Sequence, residues 1–201
     1  MLSIIAAAGW PIWPLIFASV IALAIIGERL WSLKPGEIAP LGLFREIEEA
    51  VDKGKVNDEM LDALTRHSPL GRVLAAGLRN ISASREVMKD AIEDAGRVEA
   101  YLLERYLPTL GTIASVSPLL GLLGTVIGMV DIFGALTPQG SSPAVLAQGI
   151  SVALYNTAMG LIVAIPSLIF YRHFRQKVSG IVLDMETQAV RLVEVVDKKR
   201  N

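Results

Sequence analysis

The chain has 201 residues, 52% of them hydrophobic, and a formal net charge of only −1; with a mean hydropathy of +0.49, this is the composition of an integral membrane protein and not of a soluble domain of similar length. There is no cysteine, which excludes disulfides, thiolate metal sites and thiol catalysis. The 19 Lys and Arg are balanced by 20 Asp and Glu, and no basic run is long enough to follow a phosphate backbone, so nucleic-acid binding is excluded as well.

In chain order, residues 1–8 read as a periplasmic interfacial segment and residues 9–33 as a first membrane span. From Gly9 to Leu33 the only charges are Glu28 and Arg29, and Trp10, Trp13 and Trp31 stand at the two ends as interfacial anchors. The competing reading, a cleaved leader peptide, lacks both a basic residue before the apolar core and a small-x-small site after it.

Residues 34–105 read as helical and cytoplasmic. Leu41, Phe44, Ile47 and Val51 recur at helical spacing before Gly54, and Asn57, Ser68 with Pro69, and Ser84 are set to cap three further helices. From Ser84 the pattern Val87, Ala91, Ala95, Val98, Leu102 predicts one helix running on into the membrane, with Pro108 at a kink.

Between Arg105 and Arg172 lie 66 residues whose only formal charge is Asp131. They divide into a second span over 106–136, a turn-forming loop over 137–143, and a third span over 144–171; a bilayer core about 30 Å thick takes roughly 20 residues per helical crossing. Residues 172–201 continue the third helix through Val178, Ile181, Val182, Met185, Ala189, Leu192 and Val196, so two long helices extend into a cytoplasmic bundle. Its alternating charges read as a solvated face rather than a docking code, and Lys198-Lys199-Arg200 can touch anionic headgroups of membrane lipids.

None of the basic residues lies in residues 1–28 or in the hairpin tip; twelve fall from Arg29 to Arg105 and seven from Arg172 to Arg200. Because basic residues beside spans stay cytoplasmic, the predicted topology is all-α, three transmembrane helices, N-out and C-in.

Within the spans, Ser117, Gly121, Gly124, Thr125 and Gly128 on one arm, and Gly149, Ala153, Thr157, Gly160 and Ala164 on the other, fall three or four residues apart. Small residues at that spacing let helix backbones approach in lipid, so Gly121, Gly124, Gly128, Gly149 and Gly160 read as packing positions, with Pro166 beside them. Thr125 and Thr157 lie 15 residues before and 17 after the tip at Gly140, so both hydroxyls stand about 22–26 Å along their helices from the turn. A lone Thr in a helix satisfies itself on a preceding carbonyl; two at matched depth suggest a functional polar ring. Asp131 is only nine residues from the tip, placed to cap the outer mouth or to relay protons there. A proton path needs a titratable group near mid-membrane, and the spans' interior has none, so a carboxylate would have to come from another chain. His67 and His173 have no second ligand at helical spacing, so no metal site is expected, nor any cofactor.

The runs Leu107-Pro108-Thr109-Leu110-Gly111-Thr112-Ile113-Ala114, Ser117 to Met129, and Gly149 to Pro166 resemble those of the ExbB/TolQ/MotA proton-channel family, and most closely its ExbB and TolQ branch. The four-span MotA proteins fit less well. The resemblance implies an inner-membrane ring of five subunits around two copies of a single-span partner, ExbD or TolR, whose helix carries one membrane aspartate. It also implies that Thr125 and Thr157 line the pore opposite that aspartate, and that proton flow drives a rearrangement passed to TonB or TolA. Where ExbB and TolQ commonly carry a glutamate, this chain has Val152; Asn156, one turn on, is expected to replace part of the lost polar contact as a third pathway residue. The implied role is non-enzymatic: energising outer-membrane import of siderophores and vitamins in a Gram-negative envelope, or TolQ-like envelope maintenance. A passive oligomeric scaffold is the alternative of a different class. An intramembrane enzyme lacks any Ser/His, paired-Asp or metal-ligand set in the spans.

Overall fold

In the computed structural model the described residues are 9–40, 42–134 and 143–200, and every regular element among them is an α-helix. These are α1 (Ile12–Ser32), α2 (Pro35–Ile38), α3 (Leu43–Asp52), α4 (Asp58–His67), α5 (Pro69–Arg79), α6 (Arg85–Leu103), α7 (Leu107–Gly134) and α8 (Pro143–Arg200). Stretches within Ile12–Ser32, Arg85–Gly134 and Gly149–Arg200 are long and apolar enough to cross a membrane. The expected 1–8 segment, Leu41 and the hairpin loop up to Ser142 lie outside the described residues. The chain forms two compact units, one from residues 1–29 and 106–173, the other from residues 30–105 and 174–201.

The second unit follows its caps. Asn57 Oδ1 accepts from Met60 N at 2.9 Å, Ser68 Oγ from Gly71 N at 3.0 Å, and Ser84 Oγ from Val87 N at 3.3 Å, each satisfying an orphan amide at the start of a helix. Leu43, Ile47 and Val51 on α3, Leu61 and Leu64 on α4, and Leu70, Val73, Leu74 and Leu78 on α5 turn one face of each helix inward. The end of α8 supplies Phe174, Val178, Ile181, Met185, Ala189, Leu192 and Val196 to this core, at steps of three or four residues. Lys199 Nζ donates to the carbonyl of Asp52 at 2.9 Å and to that of Val51, so a cation closes the C-terminus of α3. Arg72 and Glu99 form a two-pronged pair between α5 and α6, both bonds 2.6 Å. The Glu99 side chain is 6% exposed and that of Arg72 is 37% exposed. The hydrogen bond to Glu99 holds the Arg72 guanidinium above its ordinary range despite its partial burial.

The expectation of one helix from Ser84 into the membrane is corrected. α6 stops at Leu103, Glu104-Arg105-Tyr106 form a turn, and Tyr106 takes a left-handed backbone with φ +66°. The cause is Pro108: its ring excludes the carbonyl of residue 104 and it has no N–H to give it, so the break falls one turn earlier than the kink expected at Pro108. Pro108 then sits in the first turn of α7, where a missing N–H is harmless.

In the first unit, α1 turns Ile12, Leu15, Ala22, Ile25 and Ile26 inward while Trp13, Phe17, Val20 and Leu23 stay 61–69% exposed. α7 and α8 likewise present Leu119, Val126, Leu154, Ile162 and Ile169 outward. Helices apolar on every side suit a lipid surrounding. Arg29, 4% exposed at the end of α1, pairs with Glu28 and lies 5.4 Å over the Tyr106 ring.

Candidate functional site: the seam of the membrane hairpin

α7 and the first half of α8 meet along the small residues. A Cβ on Gly160 would stand 2.6 Å from the Ser117 carbonyl oxygen and 3.1 Å from Gly121 Cα; one on Gly121 would stand 2.8 Å from the Asn156 oxygen and 3.1 Å from Thr157 Cα. The two backbones therefore touch, and only hydrogen fits between them. Gly124 faces the Asn156 side chain, Gly128 faces Ala153, and the Ile132 side chain occupies the room that Gly149 leaves. This sequence of contacts fixes an antiparallel register, Ser117 to Gly160, Gly121 to Thr157, Gly124 to Asn156 and Gly128 to Ala153. In lipid, where apolar surface gains nothing from leaving its solvent, such close packing takes over the role of the hydrophobic effect.

The polar groups gather in this seam. Thr157 Oγ1 donates across it to the Gly121 carbonyl at 3.4 Å, a long bond. Thr125 Oγ1 donates within its own helix to Leu122 O at 2.6 Å, three residues back rather than four. Both threonines are half-buried. Thr157 stands beside Gly121, one turn of α7 from Thr125, so the two threonines are offset by about one helical turn along the seam. Asn156 is 1% exposed, wedged against Gly124, while Val152, one turn away, is half-buried.

Asp131 is exposed on α7, close to its end at Gly134. Pro166 lies inside α8 on an exposed face, and the next residue, Ser167, is buried and donates to Val163 O at 2.7 Å. No cluster of three or more His, Asp or Glu able to hold a metal occurs among the described residues.

Two members of the seam escape a reading for polar function. Ser117 is 1% exposed, and its hydroxyl meets no hydrogen-bond partner among the described residues, an uncommon state for a buried polar atom. Gly111 lies under the Tyr171 ring, with 3.1 Å from its would-be Cβ to the ring edge. In the sequence Ser117 is one more small residue of the stripe, and nothing links Gly111 to an aromatic 60 positions away; the antiparallel register is the only signal that joins them.

The sequence model described as the MotA/TolQ/ExbB proton channel family matches residues 65–187, which include the whole seam. The biopolymer transport protein exbB1 of Vibrio cholerae is 34% identical over 163 residues, covering 78% of this chain and 71% of that protein. The putative biopolymer transport protein ExbB-like 3 of Synechocystis is 36% identical over 174 residues, covering 81% and 79%. The Tol-Pal system protein TolQ of Pseudomonas aeruginosa is 33% identical over 172 residues, covering 80% and 74%. The chain belongs to the MotA/TolQ/ExbB proton channel family.

Proposed function

We propose that this chain is the ring-forming subunit of a proton-motive-force-driven motor in a bacterial inner membrane. It would act with an ExbD-like or TolR-like single-span protein and drive a TonB-like or TolA-like protein. The observation that carries the reading is an imbalance within the hairpin. Its mid-depth holds hydroxyls and an amide, while its only formal charge, Asp131, is shallow and exposed. Hydroxyls can pass a proton along or stabilise a carboxylate, but they cannot store the charge; the titratable group is supplied in trans, by the partner's membrane aspartate.

The geometry suits that division of labour. A threonine hydroxyl donates one hydrogen bond and accepts two. While Thr157 donates to Gly121 O at 3.4 Å, its lone pairs remain available to a protonated aspartic acid. When that acid ionises, the long bond is readily given up and the hydroxyl turns to donate to the carboxylate. An ionised group in the membrane is costly without such donors, so protonation frees the partner helix to move and deprotonation holds it at a threonine. Thr125 supplies a second station one turn away, and Asn156 stiffens the seam between the two. The ring reading, five copies in the architecture that the family resemblance implies, turns this switching into work on the third protein. An ExbB-type role in energising import of siderophores and vitamins is the first reading. A TolQ-type role in envelope maintenance is the second, favoured by the 33% identity to the Tol-Pal protein.

The test is growth on chelated iron, together with detergent and bile sensitivity, in cells whose only copy is wild type, Thr125→Val, Thr157→Val or Asn156→Ala. Assembly with the partner is checked by co-purification. Both valine variants are expected to assemble and to lose one phenotype, which names the branch. Normal function in both would replace the motor by a passive scaffold. Unchanged function in Asn156→Ala with loss in Thr157→Val would remove Asn156 from the pathway.

A further inference from the structure

Within the second unit, α6 and the last part of α8 enclose a groove of about 500 Å³. Its floor is apolar, from Val73, Ile92, Met185, Ala189 and Val193; its rims carry Arg85 and Lys89 on α6 and Glu186 and Glu194 on α8. The other side of α6 is an exposed apolar stripe: Val87 is 47%, Val98 58%, Tyr101 77% and Leu102 45% exposed. At 3.6 residues per turn, the groove residues Arg85, Lys89, Ile92 and Gly96 and the stripe residues Val87, Ala91, Val98 and Leu102 lie about 180° apart on the one helix. Large apolar side chains in line on an otherwise charged surface mark a place where something binds.

We propose that the stripe of one copy seats in the groove of the next, so that α6 supplies both halves of a head-to-tail interface around the ring. The inference rests on the ring reading above and names its cytoplasmic contact. Length is the first argument. The α6 wall of the groove runs from Arg85 to Ala100 and the stripe from Val87 to Leu102, each about 22 Å of helix. Charge is the second. Asp90 flanks the stripe and Lys89 stands on the groove's α6 rim, and neither makes an ion pair among the described residues, whereas Asp94 and Arg85 are already held by Arg97 and Asp197 of their own copy. Symmetry is the third. A patch and its complement on opposite faces of one helix cannot pair face to face with themselves; their contact is head-to-tail, the kind that builds a ring when the rotation between copies closes.

The register follows from two contacts. Arg85 Nη1 reaches Asp197 at 3.3 Å and Arg200, three residues further along α8, donates to the carbonyl of Ala83, two residues before Arg85, so α6 and α8 run antiparallel, and Glu186 stands level with a residue near Gly96. Copies in a membrane ring share one height, which brings Val98 of one copy to Glu186 of the next.

The chain has no cysteine of its own, so the test is Val98→Cys with Glu186→Cys in the full chain, oxidised in native membranes. The expected result is a ladder of disulfide-linked multimers from the double variant and none from either single variant. Val98→Glu, at an exposed position that does not disturb the core, is expected to raise the share of chain below full ring size by about tenfold, the effect of losing one interface anchor. A covalent dimer from Val98→Cys alone overturns the proposal, because stripe would then meet stripe. So does the absence of a ladder while native mass spectrometry shows the ring intact; the groove would then hold another occupant, and the motor reading would stand. A monomeric chain in native membranes would overturn the ring and this interface together.

Discussion

Replacing Gly160 with alanine adds one methyl group at the rung where the backbones of the seam come closest. Its carbon would stand 2.6 Å from the Ser117 carbonyl oxygen, against 3.4 Å where ordinary contact begins, and both sides are backbone, so the helices themselves must part by about 0.8 Å. A gap of that size forfeits roughly a quarter to a half of each atomic contact, each worth about 0.1–0.2 kcal/mol. Spread over the few dozen atom pairs of the neighbouring rungs, the loss is on the order of 2 kcal/mol. Alanine regains up to about 1 kcal/mol through its helix propensity, which leaves a net destabilisation of about 1–2 kcal/mol. The same movement stretches the 3.4 Å Thr157 to Gly121 bond beyond hydrogen-bonding range, so the seam loses its cross-helix polar tie as well. The assay is thermal unfolding of the full chain in detergent. Gly27→Ala and Gly180→Ala serve as references, since a Cβ at either meets nothing within 4 Å and only the propensity gain remains. Gly160→Ala and Gly121→Ala should melt below wild type and the two references at or above it. If Gly160→Ala were as stable as Gly180→Ala, the argument that backbone contact holds the hairpin together would be wrong.

Glu99→Ala should destabilise the second unit by about 1–3 kcal/mol, less than the 3–5 typical of breaking a fully buried pair, because water can reach the 37% exposed Arg72 side chain. Glu99→Gln should recover part of the loss in the same melting experiment, and equal stability of Glu99→Ala and wild type would rule the pair out as a contributor. Since Glu99 raises the Arg72 pKa, arginine's share of the stabilisation is complete below its unfolded value and fades only at strongly alkaline pH; the loss in Glu99→Ala should be equal on either side of neutrality. Ser84→Ala removes the acceptor for Val87 N and should cost about 1 kcal/mol, read as faster amide exchange in the first turn of α6; unchanged exchange would mean that water serves that amide equally well.

Much of the architecture was legible one residue at a time. Three long apolar stretches, the caps at Asn57, Ser68 and Ser84, and the small-residue stripes are properties of composition and spacing, because helix length, capping and face periodicity are set by near neighbours in the chain. The stop of α6 was legible in principle, since Pro108 excludes the carbonyl of residue 104, but the helical pattern across Val98 and Leu102 masked it. What one strand of sequence could not contain was register. That Gly160 meets Ser117, that Thr157 reaches Gly121 O rather than its own helix, that Asn156 is sealed against Gly124, and that Arg72 finds Glu99 all depend on which rung of one helix lies beside which rung of another. The sequence determined that small residues would recur along one face of each of two apolar helices. Only the packing of those faces, where a displacement of less than 1 Å separates contact from clash, decided which of them touch.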